Sequence, residues 1–245
     1  MNTELDFEKR YQFVREVIET IVLTILMFLV IRFAVQNYFV DGYSMEPNLH
    51  NNERILVDQW TYLFHPPARG DVIVFVAPPE PSKDYVKRII GIPGDIITIN
   101  NTTVIVNGVT LQEYYIDPKR QGNQYAFKQI NNMVVPPNDY FVLGDNRAGS
   151  YDSRAWGCVP RGNILGRAAI VYWPFGQDND GLIPNGTSAF ATVHQTGATG
   201  DSMCPVLTGP TSQSHLSVLN MDGMVLVATS GMIIFLRRRG KHESL

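Results

Sequence analysis

Gly42-Tyr43-Ser44-Met45-Glu46-Pro47-Asn48-Leu49, followed downstream by Tyr85-Val86-Lys87-Arg88-Ile89-Ile90-Gly91-Ile92-Pro93-Gly94-Asp95, sets the reading of this chain. The second run has the β-branched and aromatic character of a strand and closes on a Gly-Ile-Pro-Gly turn. It carries one lysine, Lys87, among Tyr85, Val86, Ile89 and Ile90. A serine hydroxyl is a weak nucleophile at neutral pH and needs an adjacent base. A lysine supplies that base when apolar surroundings keep its amine neutral.

Extended runs of the same character lie on both sides: Asn52 to Asp58, Asp71 to Val76, Lys83 to Ile90, Asp95 to Val106, Tyr140 to Leu143 and Ile164 to Tyr172. Gly, Pro and Asn separate them, so the expected fold is mainly β, an antiparallel sheet. A small β insertion is expected from about residue 100 to 137, with a hairpin turn at Asn107-Gly108. Trp60, Tyr62 and Phe64 alternate and are expected on one face of an extended run, either in the core or seated on a bilayer. At 245 residues with 44% hydrophobic and 18% charged content, the chain can build one sizeable core.

Before these strands, Val17 to Val35 is apolar except for Glu19, Thr20, Thr24 and Arg32. Such a helix reaches about 28 Å, close to the ~30 Å hydrocarbon core, and a transmembrane anchor is expected over 17–37. A buried helix or a signal peptide are the competing readings, but no Ala-x-Ala site follows. Lys9, Arg10 and Arg15 place residues 1–16 in the cytoplasm, and Arg32 can reach the far interface. The remaining chain is then expected on the extracytoplasmic face of the plasma membrane.

A net charge of −3 gives no nucleic-acid footprint. Two cysteines, Cys158 and Cys204, imply neither a disulfide framework nor a thiolate metal site, and whether they pair stays open. His50, His65, His194, His215 and His242 have no ligand spacing, so no metal or other cofactor is expected.

Ser-Met-x-Pro, then Lys-Arg-x-x-Gly-x-Pro-Gly-Asp, then Gly144-Asp145-Asn146-Arg147-Ala148-Gly149-Ser150-Tyr151-Asp152-Ser153-Arg154-Ala155-Trp156-Gly157 resembles the ordered boxes of the type I signal peptidases over roughly residues 10 to 175. The resemblance implies Ser44 as nucleophile and Lys87 as general base. It implies that Ser150 hydrogen-bonds the lysine and that Asp152 pairs with Arg154 or Arg147. The backbone N–H of Ser44 would be one oxyanion donor. A second family donor falls where this chain has Gly42, leaving a water or a neighbouring N–H to replace it.

Tyr38, Val40, Met45, Leu49, Ile55, Tyr85 and Val86 match family positions lining the pockets before the cut. The implied partners are exported preproteins whose signal peptides carry small residues before the cut, and the lipid bilayer. Two other classes compete. A dead tethered β domain is opposed by the intact Ser44 and Lys87, and a self-cleaving repressor would need a DNA-binding module that the sequence does not display.

The catalytic domain is expected over 38–184, followed by an atypical tail over 185–245. In that tail Gly200-Asp201-Ser202-Met203-Cys204-Pro205-Val206-Leu207 repeats the serine-box pattern, and 222–236 reads as a short second membrane segment before Arg237-Arg238-Arg239. Without a Gly-Asp-Asn-Arg box of its own, Ser202 is expected not to be catalytic, and the tail is expected to be dispensable.

Overall fold

Val72-Ile73-Val74-Phe75-Val76 is buried at every position, which a strand achieves only when both faces of its sheet are covered. Side chains alternate, so Val72 and Val74 join one apolar cluster with Leu49, Ile55 and Val171, while Ile73 and Phe75 join another with Ile89, Val142 and Trp156. The computed structural model describes residues 2–118, 129–176, 178–179, 181–195 and 200–205.

Along the chain these residues form α1 (Asn2–Ala34), β1 (Val35–Phe39), β2 (Arg54–Asp58), α2 (Thr61–Phe64), β3 (Val72–Val76), β4 (Asp84–Gly91), β5 (Ile96–Asn100), β6 (Thr103–Val106) and β7 (Val109–Thr110). There follow β8 (Ile130–Val134), β9 (Asp139–Leu143), α3 (Ser153–Trp156), β10 (Val159–Pro160), β11 (Ile164–Trp173), β12 (Gly181–Leu182) and β13 (Ser202–Met203). One sheet has the order β1-β2-β11-β3-β4-β9-β10, with β12 on β11. A second, smaller sheet has the order β13-β8-β5-β6-β7. All pairings are antiparallel except β13 with β8.

The run expected from Asp95 to Val106 is a hairpin, because Asn101 takes a left-handed φ of 54° and turns the chain. At the next turn Asn107 and Gly108 both have positive φ, 52° and 80°, as a type I′ hairpin requires.

Trp60, Tyr62 and Phe64 do not share one face of a strand. Asp58 Oδ1 accepts from the Trp60 and Thr61 amides at 2.9 and 3.1 Å and so starts a single helical turn, α2. Tyr62 turns inward, donating its hydroxyl to Asp71 Oδ2 at 2.9 Å, while Leu63 and Phe64 stay exposed.

The expected anchor also ends earlier, since Val35 to Asn37 belong to β1, paired with β2. Among the described residues no helix is long and apolar enough to cross a membrane; the described side chains of α1 include Arg15, Glu16, Glu19 and Arg32 beside the apolar ones.

The expected domain limit near Pro184 is likewise too early. Ala189, Phe190, Val193 and Cys204 are buried in the core that fills the second sheet. Cys204 is disulfide-bonded to Cys158, the Cys158 amide donates to Pro205 O at 2.8 Å, and Cys204 N donates to Val134 O at 2.8 Å. Gly157, at φ 100°, lies so close to Pro205 O that a Cβ would collide with it. Ser202 lies on an exposed strand. The proposed second membrane segment falls outside the described residues.

The disulfide closes a loop between positions 46 residues apart, and its loss is expected to cost about 4 kcal/mol by the chain-entropy relation. Cys158→Ser and Cys204→Ser should therefore lower the urea midpoint equally, and a reductant should lower the parent chain to the same value without moving either variant.

Candidate active site

Ser44 enters a tight turn in which the Asn48 and Leu49 amides both donate to Met45 O at 3.0 Å. Met45 and Leu49 anchor that turn in the core with Val40 and Ile55. Its outer side is gripped by the Gly144 loop: Asn146 N donates to Ser44 O at 3.0 Å and Asn146 Nδ2 to Tyr43 O at 3.0 Å. A Cβ on Gly144 would lie 2.5 Å from Ser44 O, so only glycine permits this approach.

Lys87 sits on β4 directly opposite Ile73 of β3, and strand alternation puts Tyr85 and Ile89 on its side. Only 4% of Lys87 is exposed. Its Nζ donates to Ser44 Oγ at 2.7 Å and to Val86 O at 2.9 Å. Desolvation by burial brings the amine down to about 8, against opposing pulls from Asp152 and Asp145. A neutral amine within hydrogen-bonding distance of a serine hydroxyl can take its proton.

The charged side chains of the third box divide their partners. Asp152 pairs with Arg154, whose Nε and Nη2 each reach it at 2.7 Å, and also accepts from Gly144 N at 3.0 Å. Arg147 pairs instead with Glu113 through Nη1 at 2.9 Å, and donates from Nε to Gly144 O at 3.0 Å. The hydrogen bond expected from Ser150 to Lys87 is not formed. Ser150 Oγ packs against the Gly144 backbone and, among the described residues, is buried without a hydrogen-bond partner.

Sequence reasoning missed the group that ties the three boxes together. Arg88, fully buried, grips Asp145 through Nε at 2.8 Å and Nη2 at 2.7 Å. The same carboxylate accepts from Asn48 Nδ2 at 2.8 Å, and Arg88 Nη1 donates to Gly70 O and Pro184 O at 2.8 Å. One residue from each box thus meets in a single desolvated network, stacked over the Tyr115 ring at 4.2 Å. The available signal was adjacency: Arg88 follows Lys87, and Asp145 follows Gly144.

A cavity of about 320 Å³ opens beside Ser44 and Lys87. Of the expected wall residues, Tyr38, Val40, Ile55, Tyr85 and Val86 line it. Met45 and Leu49 do not; they lie buried beneath it, holding the Ser44 turn. Gly42 lines the cavity, but its N–H donates to Asn51 Oδ1 at 2.8 Å.

The family described as Signal peptidase, peptidase S26 matches residues 14–173. Signal peptidase I of Leptolyngbya laminosa is 39% identical over 167 residues, covering 65% of this chain and 79% of its own. Signal peptidase IB of Staphylococcus aureus is 35% identical over 183 residues, covering 70% and 95%. A crystal structure of a signal peptidase I from Enterococcus faecalis V583 is 32% identical, with a TM-score of 0.39, covering 43% of this chain and 98% of that one. With most of its length matched, the chain belongs to the signal peptidase family of S26 peptidases and is a serine endopeptidase of the signal peptidase I type.

Proposed function

We propose that the chain removes signal peptides from exported preproteins with a Ser44–Lys87 dyad, held at the outer face of the plasma membrane by α1. The observation that carries this is the 2.7 Å contact between a buried lysine amine and the serine hydroxyl. Ser44 Oγ attacks the scissile carbonyl while neutral Lys87 takes its proton; the C–N bond breaks and Lys87 gives that proton to the departing amine. Water then attacks the acyl-serine ester, losing its proton to Lys87; the ester C–O bond breaks, Lys87 returns the proton to Ser44 Oγ, and the signal peptide leaves with its new carboxylate. The Ser44 N–H is one donor to the oxyanion. Arg154, Asp152 and Arg147 act at one remove, by fixing the Gly144 loop against Ser44.

An extended substrate has a place to add. β9 pairs with β4 only from Arg88 to Gly91, so, among the described residues, Asp84 to Lys87 has no strand neighbour on that side. Main-chain bonds to this edge would align the chain while small side chains before the cut enter the walls formed by Val40, Ile55 and Val86.

Several features of α1 favour an anchor. Ile21, Leu23, Leu26, Met27 and Phe28 stand exposed around the helix. Its hydroxyls are satisfied internally, Thr20 Oγ1 donating to Glu16 O at 2.8 Å and Thr24 Oγ1 to Thr20 O at 2.7 Å, as an apolar medium requires. The Cys158–Cys204 disulfide fits the oxidising side of the membrane.

The test is cleavage of a preprotein by the purified chain in detergent, with sequencing of the new N-terminus. A single new terminus behind small residues is expected; no cleavage, or cleavage that survives Ser44→Ala, would overturn the reading. The pH profile follows from the amine. Because Lys87 must be neutral to act, kcat/KM should rise with pH to a plateau above about pH 8, well below the ordinary lysine range of about 10.5. An acidic limb lying near pH 6 or lower would assign the base to another group.

A further inference from the structure

Two alanines separated by a single residue occur once in this sequence, at Ala189-Phe190-Ala191, ahead of Thr192. Small residues at the third and first positions before the Ala191–Thr192 bond are the pattern proposed above for substrates. The run lies beyond residues 14–173, which the family matches. In the fold this bond is withheld. Thr187–Phe190 is a 3₁₀ turn, and Ala191 continues it in the helical region at φ −56° and ψ −28°, whereas a chain laid along the β4 edge must be extended. Ala189 N donates to Gly186 O at 3.0 Å and Val193 N to Phe190 O at 2.9 Å. Ala189, Phe190 and Val193 are buried in the core of the second sheet, while Ala191 and Thr192 are exposed. The turn is pinned on both sides. Upstream, Gly186 N donates to Gly70 O at 3.1 Å; downstream, Arg69 Nη1 reaches Val193 O at 3.2 Å, Asn107 Nδ2 reaches His194 O at 2.8 Å, and Cys204 is tied to Cys158.

We propose that Ala191–Thr192 is a latent cut site for this enzyme's own chemistry, open to a second copy of the chain only when the turn unwinds. Ser44 of that copy attacks the Ala191 carbonyl, and the C–N bond to Thr192 breaks as Lys87 gives its proton to the Thr192 amine. Water then hydrolyses the ester and leaves Ala191 with a carboxylate. Cys158 and Cys204 fall on opposite sides of the cut, so the pieces 1–191 and 192–245 stay joined through their disulfide. Burial of Phe190 and the pins on either side of the turn keep the bond closed in the folded chain.

This inference rests on the proposed peptidase reading, and one experiment separates the two. Parent enzyme in detergent is mixed with a preprotein and, separately, with full-length chains carrying Ser44→Ala, which act only as substrates. Adding Phe190→Ser to such a chain removes the core anchor of the turn and leaves both alanines in place. Adding Cys158→Ser/Cys204→Ser instead loosens the turn without touching it, and carries the test if Phe190→Ser does not fold. Cutting of a masked bond follows the population of the opened form, and loss of a buried phenylalanine should raise that population by about a hundredfold or more. The opened chain should be cut faster than the closed one by that factor, with a new N-terminus at Thr192, and further substitution Ala191→Phe should abolish the cut. Reducing gels separate the pieces where the disulfide is intact. Equal cutting of closed and opened chains, a different new terminus, or a cut that survives Ala191→Phe would overturn the assignment. If preprotein is cleaved and both opened chains stay intact, only this inference fails; if the parent cleaves no preprotein, the peptidase reading itself does.

Discussion

Replacement of Lys87 by methionine is expected to lower kcat/KM by about four to six orders of magnitude while making the folded chain more stable. The loss follows because proton transfer to and from Ser44 has no other base within reach in the proposed mechanism. Ser44→Ala should be equally inactive, and the double variant no worse than either, since the two side chains act as one unit.

The gain follows from linkage. Burial lowers the Lys87 amine from 10.5 to about 8. Below about pH 8 both folded and unfolded chains hold the proton, and the folded state bears the whole cost of a buried charge, about 3 kcal/mol. Between 8 and 10.5 only the unfolded chain holds it, so the parent gains stability as pH rises through that window. The methionine variant should therefore be the more stable at pH 7 and lose its advantage near pH 10.5, as urea unfolding at the two pH values would reveal. A constant difference between the two pH values, or activity above about 1% of the parent, would contradict the assignment.

Asp145→Ala is expected to destabilise the fold by about 3 to 5 kcal/mol, because it leaves the Arg88 guanidinium buried and unpaired. The apolar pair Arg88→Met/Asp145→Leu should recover most of that stability but little activity. Asn48 Nδ2 would keep only Tyr115 O as acceptor, and the turn that presents Ser44 would lose one of its ties to the Gly144 loop. Urea unfolding and preprotein cleavage on the same samples separate the two effects; full activity in the apolar pair would make the network purely structural.

The strands were legible because their β-branched runs and turn residues are local signals: Val72 to Val76 and the Asn107-Gly108 turn need no partner to be recognised. Ser44 and Lys87 were legible as members of boxes, not from any local physics of either residue. What stayed hidden depends on distant contacts. Arg88 and Asp145 are 57 positions apart, and nothing in either neighbourhood announces a desolvated pair. The described residues of 181–195 and 200–205 read as polar loop by composition and are fixed by distant partners: β12 on β11, Pro184 O on Arg88, β13 on β8 and Cys204 on Cys158. At Trp60 to Phe64 an alternation of aromatics misled, while Asp58, whose carboxylate accepts from the Trp60 and Thr61 amides, was the local signal for a turn.

Among the described residues the uncovered part of β4 is Asp84 to Lys87, a length that bears on turnover in the proposed mechanism. An extended chain laid along so short an edge gains a few main-chain hydrogen bonds, each worth about 1 kcal/mol net. Ground-state affinity is thereby kept low, and the cut signal peptide, which has lost its covalent link to the rest of the chain, has little to hold it. In the proposed mechanism a longer free edge would bind more tightly and slow release, so this short edge predicts that chemistry at Ser44, rather than departure of the fragment, limits turnover.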